Sequence, residues 1–264
     1  MTFQITILGC GSSGGVPRVG GDWGACDPNN AKNHRRRCSI LLERSAGDQR
    51  TVVLVDTSPD LREQLLATGT TRLDGILLTH SHADHVHGID DVRPLVIKMK
   101  RRIPVFMDQA TNDWVHQRFD YIFQTPPGSQ YPPLLDPYVL VPGRSCTIEG
   151  PGGAIEALPF RLEHGDIDSL GFRFGDVAYT PDLNAVPEES FDALRGLDIW
   201  IIDALRYTSH PSHLTVAEAL ELIAKLKPRR AILTNLHTDL DFERLRTELP
   251  KGVEPAYDGM QIVF

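Results

Sequence analysis

A cluster of metal-binding side chains follows a short apolar run near residue 80. The run 76–78 is typical of a buried strand, and it leads into a loop that carries His80, His82, Asp84 and His85. Imidazole and carboxylate groups bind divalent first-row metals. In an extended chain the rings of His80 and His82 point to one side, whereas Asp84 and His85 lie where the chain turns and can face a second ion. The loop therefore predicts a site for two metal ions.

Two ions need more ligands than this loop supplies, so further donors are expected at the ends of later strands. His164, Asp182 and His237 each follow a segment that is predicted to be a strand. Any one of them alone would more often be a hydrogen-bonded structural residue. Their shared placement at strand ends makes them candidate ligands. Mixed imidazole and carboxylate ligands without nearby cysteines suit Zn²⁺ or Mn²⁺.

The elements that must position these residues are strands that alternate with helices. This order places the metal loop at the carboxyl end of a strand, where the active sites of α/β proteins gather. Ser58 as N-cap and Pro59 predict a helix to about residue 66. Thr215 and Glu218 form a capping box that opens the clearest helix of the chain. Further helices are predicted over 88–99 and 242–248, and strands over 3–8, 38–43, 51–56, 103–107, 154–162, 171–174, 177–180, 199–204, 231–234 and 261–264.

The composition is that of an ordinary globular protein. A chain of 264 residues, 41% hydrophobic and 23% charged, predicts one domain over 1–264 or two tightly fused halves. No long apolar run or signal-peptide pattern is present, so neither a membrane span nor export is expected. Four cysteines without a C-x-x-C pair fit a reducing cytoplasm. A net charge of −8 disfavours a surface for long nucleic acids, which are bound through many Lys and Arg contacts.

Local phosphate recognition is therefore the expected use of the basic residues near the N-terminus. The glycine-rich loop 9–15 follows the first predicted strand, and its backbone N–H groups could approach an anion. It lacks the ending of a P-loop, so a plain flexible connection is the alternative. The irregular excursion 17–37 and the proline-rich segment 119–142 are long enough to be functional, the latter as a lid or rim. The candidate phosphate-binding residues are Ser12, Ser13, Arg35, Arg36 and Arg37.

The pattern H-x-H-x-D-H after a strand resembles the signature of the metallo-β-lactamase superfamily, and the resemblance covers essentially the whole chain. It implies an α/β fold of four αββα layers, in which two mixed sheets lie between outer helices. It also implies two divalent metal ions. The first would be bound by His80, His82 and His164, and the second by Asp84, His85 and His237, with Asp182 between them. Asp56, which closes a predicted strand, would hold the metal loop by hydrogen bonds.

A second segment resembles the phosphodiesterase branch of this superfamily, which contains ribonuclease Z and the PhnP-type cyclic phosphodiesterases. Residues 203–215 comprise a strand end, a loop and a helix cap, and they carry His210 and His213. In that branch a histidine just before this helix protonates the leaving oxygen, and His213 matches it. A histidine that only packs against the helix is the alternative. His210 has no matched role and is a candidate substrate-binding residue, and Asp84 is predicted to be catalytic as well as a ligand.

One feature departs from the PhnP-type pattern. PhnP-type proteins bind a structural zinc through three cysteines in the excursion after the first strand, whereas only Cys26 is present here, with Gly21 and Trp23 at the other positions. A structural zinc is therefore not expected.

The resemblance and the charge together predict a dinuclear-metal phosphodiesterase that acts on small cyclic or linear phosphodiesters of nucleotide or phosphoribosyl type. One alternative is an RNA-processing enzyme like ribonuclease Z, but that enzyme grips transfer RNA with a basic arm, and no Lys/Arg-rich insertion is found. A non-catalytic member that binds a metabolite is the other alternative. A cytoplasmic protein without a membrane partner is expected, and a homodimer is one open oligomeric state.

Overall fold

Neighbouring residues of the central strands point to opposite apolar layers. On one strand Val53 lies in a core between the two sheets, whereas Leu54 lies in a second core on the far side of its sheet. On a strand of the other sheet, Ile201 lies in the same central core and Trp200 in a third core outside. Strands that are apolar on both faces belong at the centre of a layered α/β fold.

The computed structural model describes residues 2–264 and contains two seven-stranded sheets. The first sheet consists of β1 (Thr2–Gly9), β2 (Ser39–Ala46), β3 (Gln49–Val55), β4 (Gly75–Leu77), β5 (Ile103–Met107), β6 (Leu135–Val139) and β14 (Gln261–Val263). Their order is β14-β1-β2-β3-β4-β5-β6. The pairs from β14 to β3 are antiparallel, and those from β3 to β6 are parallel. This sheet is therefore mixed.

The second sheet has the same kind of mixed topology. It consists of β7 (Cys146–Ile148), β8 (Ile155–His164), β9 (Ile167–Phe174), β10 (Val177–Thr180), β11 (Ile199–Asp203), β12 (Arg230–Thr234) and β13 (Val253–Pro255). Their order is β13-β12-β11-β10-β9-β8-β7. The strands β10 to β13 are parallel, so the carboxyl ends of β10, β11 and β12 meet at one edge.

Helices cover the outer face of each sheet. They are α1 (Leu61–Ala67), α2 (Ala83–Val86), α3 (Arg93–Met99), α4 (Gln109–Phe119), α5 (Val216–Leu226) and α6 (Phe242–Glu248). Helices α1 to α4 contribute to the core outside the first sheet, and α2 adds Val86 to it. Helices α5 and α6 contribute to the core outside the second sheet. The four-layer αββα prediction is confirmed. Within residues 2–264, no helix is long and apolar enough to cross a membrane.

The predictions for individual helices were mostly confirmed. The N-cap of α1, however, is Asp60 rather than Ser58, because the Ser58 hydroxyl accepts the Asp60 N–H and forms a separate turn before the helix. The helical prediction for 88–99 is confirmed as a 3₁₀ turn at Ile89–Val92 followed by α3, with proline in its first turn. The capping box of Thr215 is also present as predicted. The proline-rich segment 119–142, predicted to be a lid or rim, supplies the edge strand β6.

Candidate active site

The predicted ligands lie at one edge of the two sheets, where strands end. The loop after β4 carries His80 and His82, and α2 follows it with Asp84 and His85. His164 is the last residue of β8. Residues 182 and 237 follow the parallel strands β10 and β12, which explains why positions far apart in sequence meet here.

Asp56 fixes the geometry of the metal loop. It follows β3 in a left-handed conformation (φ 66°), and its carboxylate is fully buried. It accepts hydrogen bonds from the Thr79 backbone N–H (2.8 Å) and hydroxyl (2.9 Å). His85 donates from Nδ1 to the same carboxylate at 2.7 Å, so His85 Nε2 is free to face the other histidines. Burial raises the pKa of Asp56, although His85 acts against this shift.

His80 and His164 are oriented in the same way. His80 Nδ1 lies 2.9 Å from the Thr79 hydroxyl, and His164 Nδ1 donates to the Ser212 carbonyl at 2.7 Å. A hydrogen bond at Nδ1 leaves Nε2 as the donor atom for a metal, which is the usual arrangement of a histidine ligand. Burial lowers the pKa of both His80 and His164, so both rings are neutral, as ligation requires.

The donor atoms converge closely enough to hold metal ions. Three groups have all their donor atoms within 4.8 Å of one another, namely His80 with His82 and His164, His80 with His85 and Asp182, and His164 with Asp182 and His213. Asp182 lies 3.2 Å from His85 Nε2 and 3.6 Å from His164 Nε2. Burial alone would raise the pKa of Asp182, but His85 and its neighbours outweigh this and lower it well below its usual value.

Two orphaned nitrogen atoms support a metal at this point. Among residues 2–264, the buried Nε2 atoms of His80 and His85 have no hydrogen-bond partner, and the Asp182 carboxylate lies 3.9 Å and 3.2 Å from them. A buried polar atom without a partner is costly, and a divalent ion would satisfy both nitrogens. The imidazole and carboxylate donor set therefore fits a divalent metal.

Asp84 and His237 lie at the margin of the cluster. Asp84 Oδ2 is 3.5 Å from His85 Nε2. His237 belongs to none of the three convergent groups, and its Nε2 contacts the Arg18 guanidinium, while its Nδ1 lies 2.9 Å from Asp239 Oδ1. The sequence did not single out Arg18, which lies in the excursion 17–37.

His213 borders the cluster and is paired with a buried carboxylate. Its Nδ1 donates to Asp203 Oδ2 at 2.9 Å, and its Nε2 lies 3.9 Å from Asp182 Oδ2. Burial alone would lower the pKa of His213, but the hydrogen bond and the charge of Asp203 outweigh it and raise the pKa to about 9. The Asn235 amide nitrogen lies 3.1 Å from His213 Nδ1 and 3.4 Å from Asp182 Oδ1. Asp203 lies near the end of the predicted strand 199–204 and Asn235 directly follows the predicted strand 231–234, and these positions were the sequence signal for them.

His210 lies beside His213, with ring centroids 5.0 Å apart. Its Nδ1 accepts the Ser212 backbone N–H at 3.3 Å, so the two histidines belong to one folded loop before α5. Burial and the neighbouring His213 lower the pKa of His210, which leaves its ring neutral at neutral pH.

The candidate phosphate-binding residues do not share one surface. Ser12 is buried and Ser13 is exposed. Arg35 is only 2% exposed, Arg36 is half-buried, and Arg37 forms an ion pair of 3.0 Å with Asp60. The buried guanidinium of Arg35 donates only to the protein interior, so its assignment to a phosphate contact is not supported by its placement.

The chain is similar to known proteins of one superfamily in sequence and in fold. A family model described as the beta-lactamase superfamily domain matches residues 51–235. A crystal structure described as a new diphosphatase from the PhnP family has a TM-score of 0.89 and 34% sequence identity, over 100% of this chain and 98% of its own.

Two curated relatives are longer than this chain. An octanoyltransferase of Porphyromonas gingivalis (strain ATCC BAA-308 / W83) is 33% identical over 267 residues, which is 99% of this chain and 52% of its own length. A ribonuclease Z of Bradyrhizobium sp. (strain ORS 278) is 32% identical over 149 residues, which is 56% of this chain and 46% of its own. The matched parts therefore span about half of each of these two relatives.

Proposed function

The chain belongs to the beta-lactamase superfamily, and we propose that it is a dinuclear-metal phosphodiesterase that hydrolyses small cyclic or linear phosphodiesters. The observation that carries this proposal is the His213 and Asp203 pair at the border of the metal-donor cluster. A thioester expels a weakly basic thiolate that can leave without a proton, whereas a strongly basic alkoxide leaving group needs one. The pair supplies a proton donor at this place.

The proposed metal ligands divide into two sets around Asp182. His80, His82 and His164 would hold one ion, and Asp84, His85 and His237 the other, with zinc or manganese as the candidate metals. When bound, such ions supply a water nucleophile at neutral pH and draw negative charge from the phosphoryl group. The loop and strand ends of this chain would fix three of the donors before binding, because the Nδ1 atoms of His80, His85 and His164 are already held by hydrogen bonds.

His213 would protonate the leaving oxygen. The Leu183 backbone N–H donates a hydrogen bond to Asp203 Oδ2 at 3.2 Å. This bond holds the carboxylate in place beside the His213 ring. Nδ1 donates to Asp203 and Nε2 faces Asp182, and a proton on Nε2 therefore points toward the side of the cluster where a phosphoryl group would lie. The pKa of about 9, raised by Asp203, keeps this proton on the ring near neutral pH, as a proton donor requires.

The net charge of the chain and the exposure of its candidate phosphate-binding residues favour a small substrate. A net charge of −8 disfavours diffuse attraction of a polyanion, and the surface that remains for phosphate recognition is local. We propose that Arg36 and Arg37, together with Ser12, Ser13, His210 and the backbone of the glycine-rich loop, contact the substrate. The likeness to a PhnP-family diphosphatase adds diphosphate esters to the substrates to be tested.

A ribonuclease Z-like activity is the second candidate, supported by the 32% identity over 149 residues. The charge of the chain and the lack of a Lys/Arg-rich insertion speak against a large RNA substrate. A non-catalytic metabolite-binding protein is the third candidate, but it would have no need for the His213 and Asp203 pair.

One set of measurements separates these candidates. Metal content would be determined by elemental analysis, and turnover of bis(p-nitrophenyl) phosphate, cyclic nucleotides, linear dinucleotides, a diphosphate ester and a precursor transfer RNA would be measured with the zinc- and manganese-loaded protein. We expect two metal equivalents and turnover of the small phosphodiesters. Metal-loaded protein that cleaves none of these compounds would overturn the proposal, and cleavage of the RNA alone would favour the second candidate.

A cytoplasmic location and a homodimer remain predictions. Sedimentation equilibrium of the purified protein would decide the oligomeric state, and fractionation of cells that express the chain would decide the location.

A further inference from the structure

Arg35 joins the excursion 17–37 to the turn that carries His237. Its backbone pairs with Val16 in both directions, with N–O distances of 2.9 Å, which fixes the base of the side chain. The side chain then crosses from the excursion to the turn after β12. Because the residue is only 2% exposed, this crossing takes place inside the protein.

The guanidinium group holds two carbonyls of this turn. Nη1 donates to the His237 carbonyl at 3.3 Å, and Nη2 donates to the Leu240 carbonyl at 2.7 Å. Nη2 also donates to Asn33 Oδ1 at 3.2 Å, and Nη1 lies 3.8 Å from the sulfur of Cys26. A planar, forked group of five donors is suited to bridge acceptors that a single ammonium cannot reach together.

The acceptors found for this guanidinium among residues 2–264 are all neutral. They are two carbonyls, an amide oxygen and a thiol whose pKa is raised by burial. A buried cation without a carboxylate partner is expensive, and an apolar side chain would fill the same space at lower cost. What Arg35 contributes beyond an apolar side chain is therefore the fixed position of the turn at residues 237–240.

We propose that Arg35 is a positioning residue that sets the place of the His237 ring for metal binding. The guanidinium holds the carbonyl of His237 itself, and the same turn holds the ring through Asp239, which lies 2.9 Å from Nδ1. The two contacts act on the backbone and on the imidazole Nδ1 of one residue, whose Nε2 contacts the Arg18 guanidinium in this structure. This role replaces the phosphate contact expected from the sequence, because Arg35 is buried and its Nη atoms donate to acceptors inside the protein.

The inference rests on the proposed two-metal site and is tested by metal binding rather than by turnover. In Arg35→Met, affinity for one of the two ions should fall by about 10- to 100-fold, as is typical when an outer partner of a ligand is lost, while the other ion stays bound. Isothermal titration of the metal-free protein with Zn²⁺ would give both affinities. Amide hydrogen exchange should accelerate at residues 237–240 and not in the metal loop.

Thr51→Val is the matched control. Thr51 is fully buried, its hydroxyl donates to the Gly153 carbonyl at 2.7 Å and accepts the Gly152 N–H at 3.0 Å, and it lies in the half of β3 remote from Asp56. The Thr51→Val variant should be less stable to heat than wild type and should bind both metal ions with unchanged affinity. Arg35→Lys, which keeps the charge but cannot span both carbonyls, should fold and should show an intermediate loss for the same ion.

The outcomes separate this inference from the proposed function. Wild-type protein that binds a single ion would refute the two-metal site itself. Wild-type protein that binds two ions, with Arg35→Met and Arg35→Lys binding both at wild-type affinity, would overturn the role of Arg35. The role of Arg35 would also be overturned if its variants lost affinity for both ions equally, or if Thr51→Val lost affinity for the same single ion.

Discussion

Replacement of His213 by alanine should slow the cleavage of substrates with alkoxide leaving groups far more than the cleavage of p-nitrophenyl esters. An alkoxide is a strong base and needs a proton as it departs, whereas p-nitrophenolate is stable enough to leave without one. The perturbation therefore distinguishes a proton donor from a residue that only supports the fold.

The size of the effect follows from the position of the ring. Nε2 lies 3.9 Å from Asp182 Oδ2, next to the donor cluster, while the 2.9 Å hydrogen bond to Asp203 keeps Nδ1 occupied and the ring oriented. General acid catalysis from such a position contributes about 10²- to 10⁴-fold in rate, or about 3 to 5 kcal/mol of barrier. We expect a loss of kcat in this range for a cyclic nucleotide and a loss of less than about tenfold for bis(p-nitrophenyl) phosphate.

The assay compares kcat for the two substrates in wild type, His213→Ala and Asp203→Asn, with metal content measured on the same samples. In Asp203→Asn the loss of kcat should again be larger for the alkoxide leaving group than for p-nitrophenolate, but smaller than in His213→Ala, because the ring remains and is only oriented less firmly. His210→Ala serves as the neighbouring control and should not discriminate between the leaving groups. Equal losses on both substrates in His213→Ala, with metal content intact, would refute the assignment and leave His213 as a residue that positions substrate.

Three further changes have defined outcomes. Asp182→Asn should lose at least one metal equivalent and nearly all turnover, because Asp182 belongs to two of the three convergent donor groups; full occupancy by elemental analysis would contradict this. Asp56→Asn should lower the free energy of unfolding by about 3 kcal/mol in denaturant titrations, since it breaks the buried pair with His85; an unchanged midpoint would contradict this. Burial raises the pKa of Asp258 to about 7, so its stabilising contribution is complete below the unfolded pKa near 4 and is lost as pH rises through 7. Relative to Asp258→Asn, the wild-type melting temperature should therefore fall between about pH 4 and pH 7, by the equivalent of at most about 4 kcal/mol, and parallel melting curves would contradict this.

The layered fold was predictable because its signals are local or periodic. The strands apolar on both faces, the capping box of α5 and the metal loop after β4 all follow from short stretches of sequence. By contrast, α4 was not predicted, because it buries only Thr111 and Val115 and so has a weak apolar face. The edge strand β6 contains Pro137 and is mostly exposed, so neither hydrophobicity nor composition identifies it.

The arginine run shows why the candidate site was only partly predictable. Three adjacent basic residues look like one positive patch, but adjacent side chains in an extended segment point in different directions. Arg35 enters the interior, Arg36 is half-buried, and Arg37 turns to Asp60. Contacts of this kind depend on segments that are distant in sequence, such as the pairing of residue 35 with the turn at 237–240, and no local pattern encodes them.

A buried carboxylate at a strand end of each sheet orients one histidine of the site. Asp56 follows β3 of the first sheet and holds Nδ1 of His85 at 2.7 Å, while Asp203 ends β11 of the second sheet and holds Nδ1 of His213 at 2.9 Å. In both pairs a buried carboxylate at a strand end turns Nε2 toward Asp182, at 3.2 Å and 3.9 Å. The ligand His85 and the proposed acid His213 therefore depend on different sheets for their orientation. Loss of Asp56 should act on metal binding, loss of Asp203 on the leaving group, and only correct packing of the two sheets through their shared core brings both to one phosphoryl group.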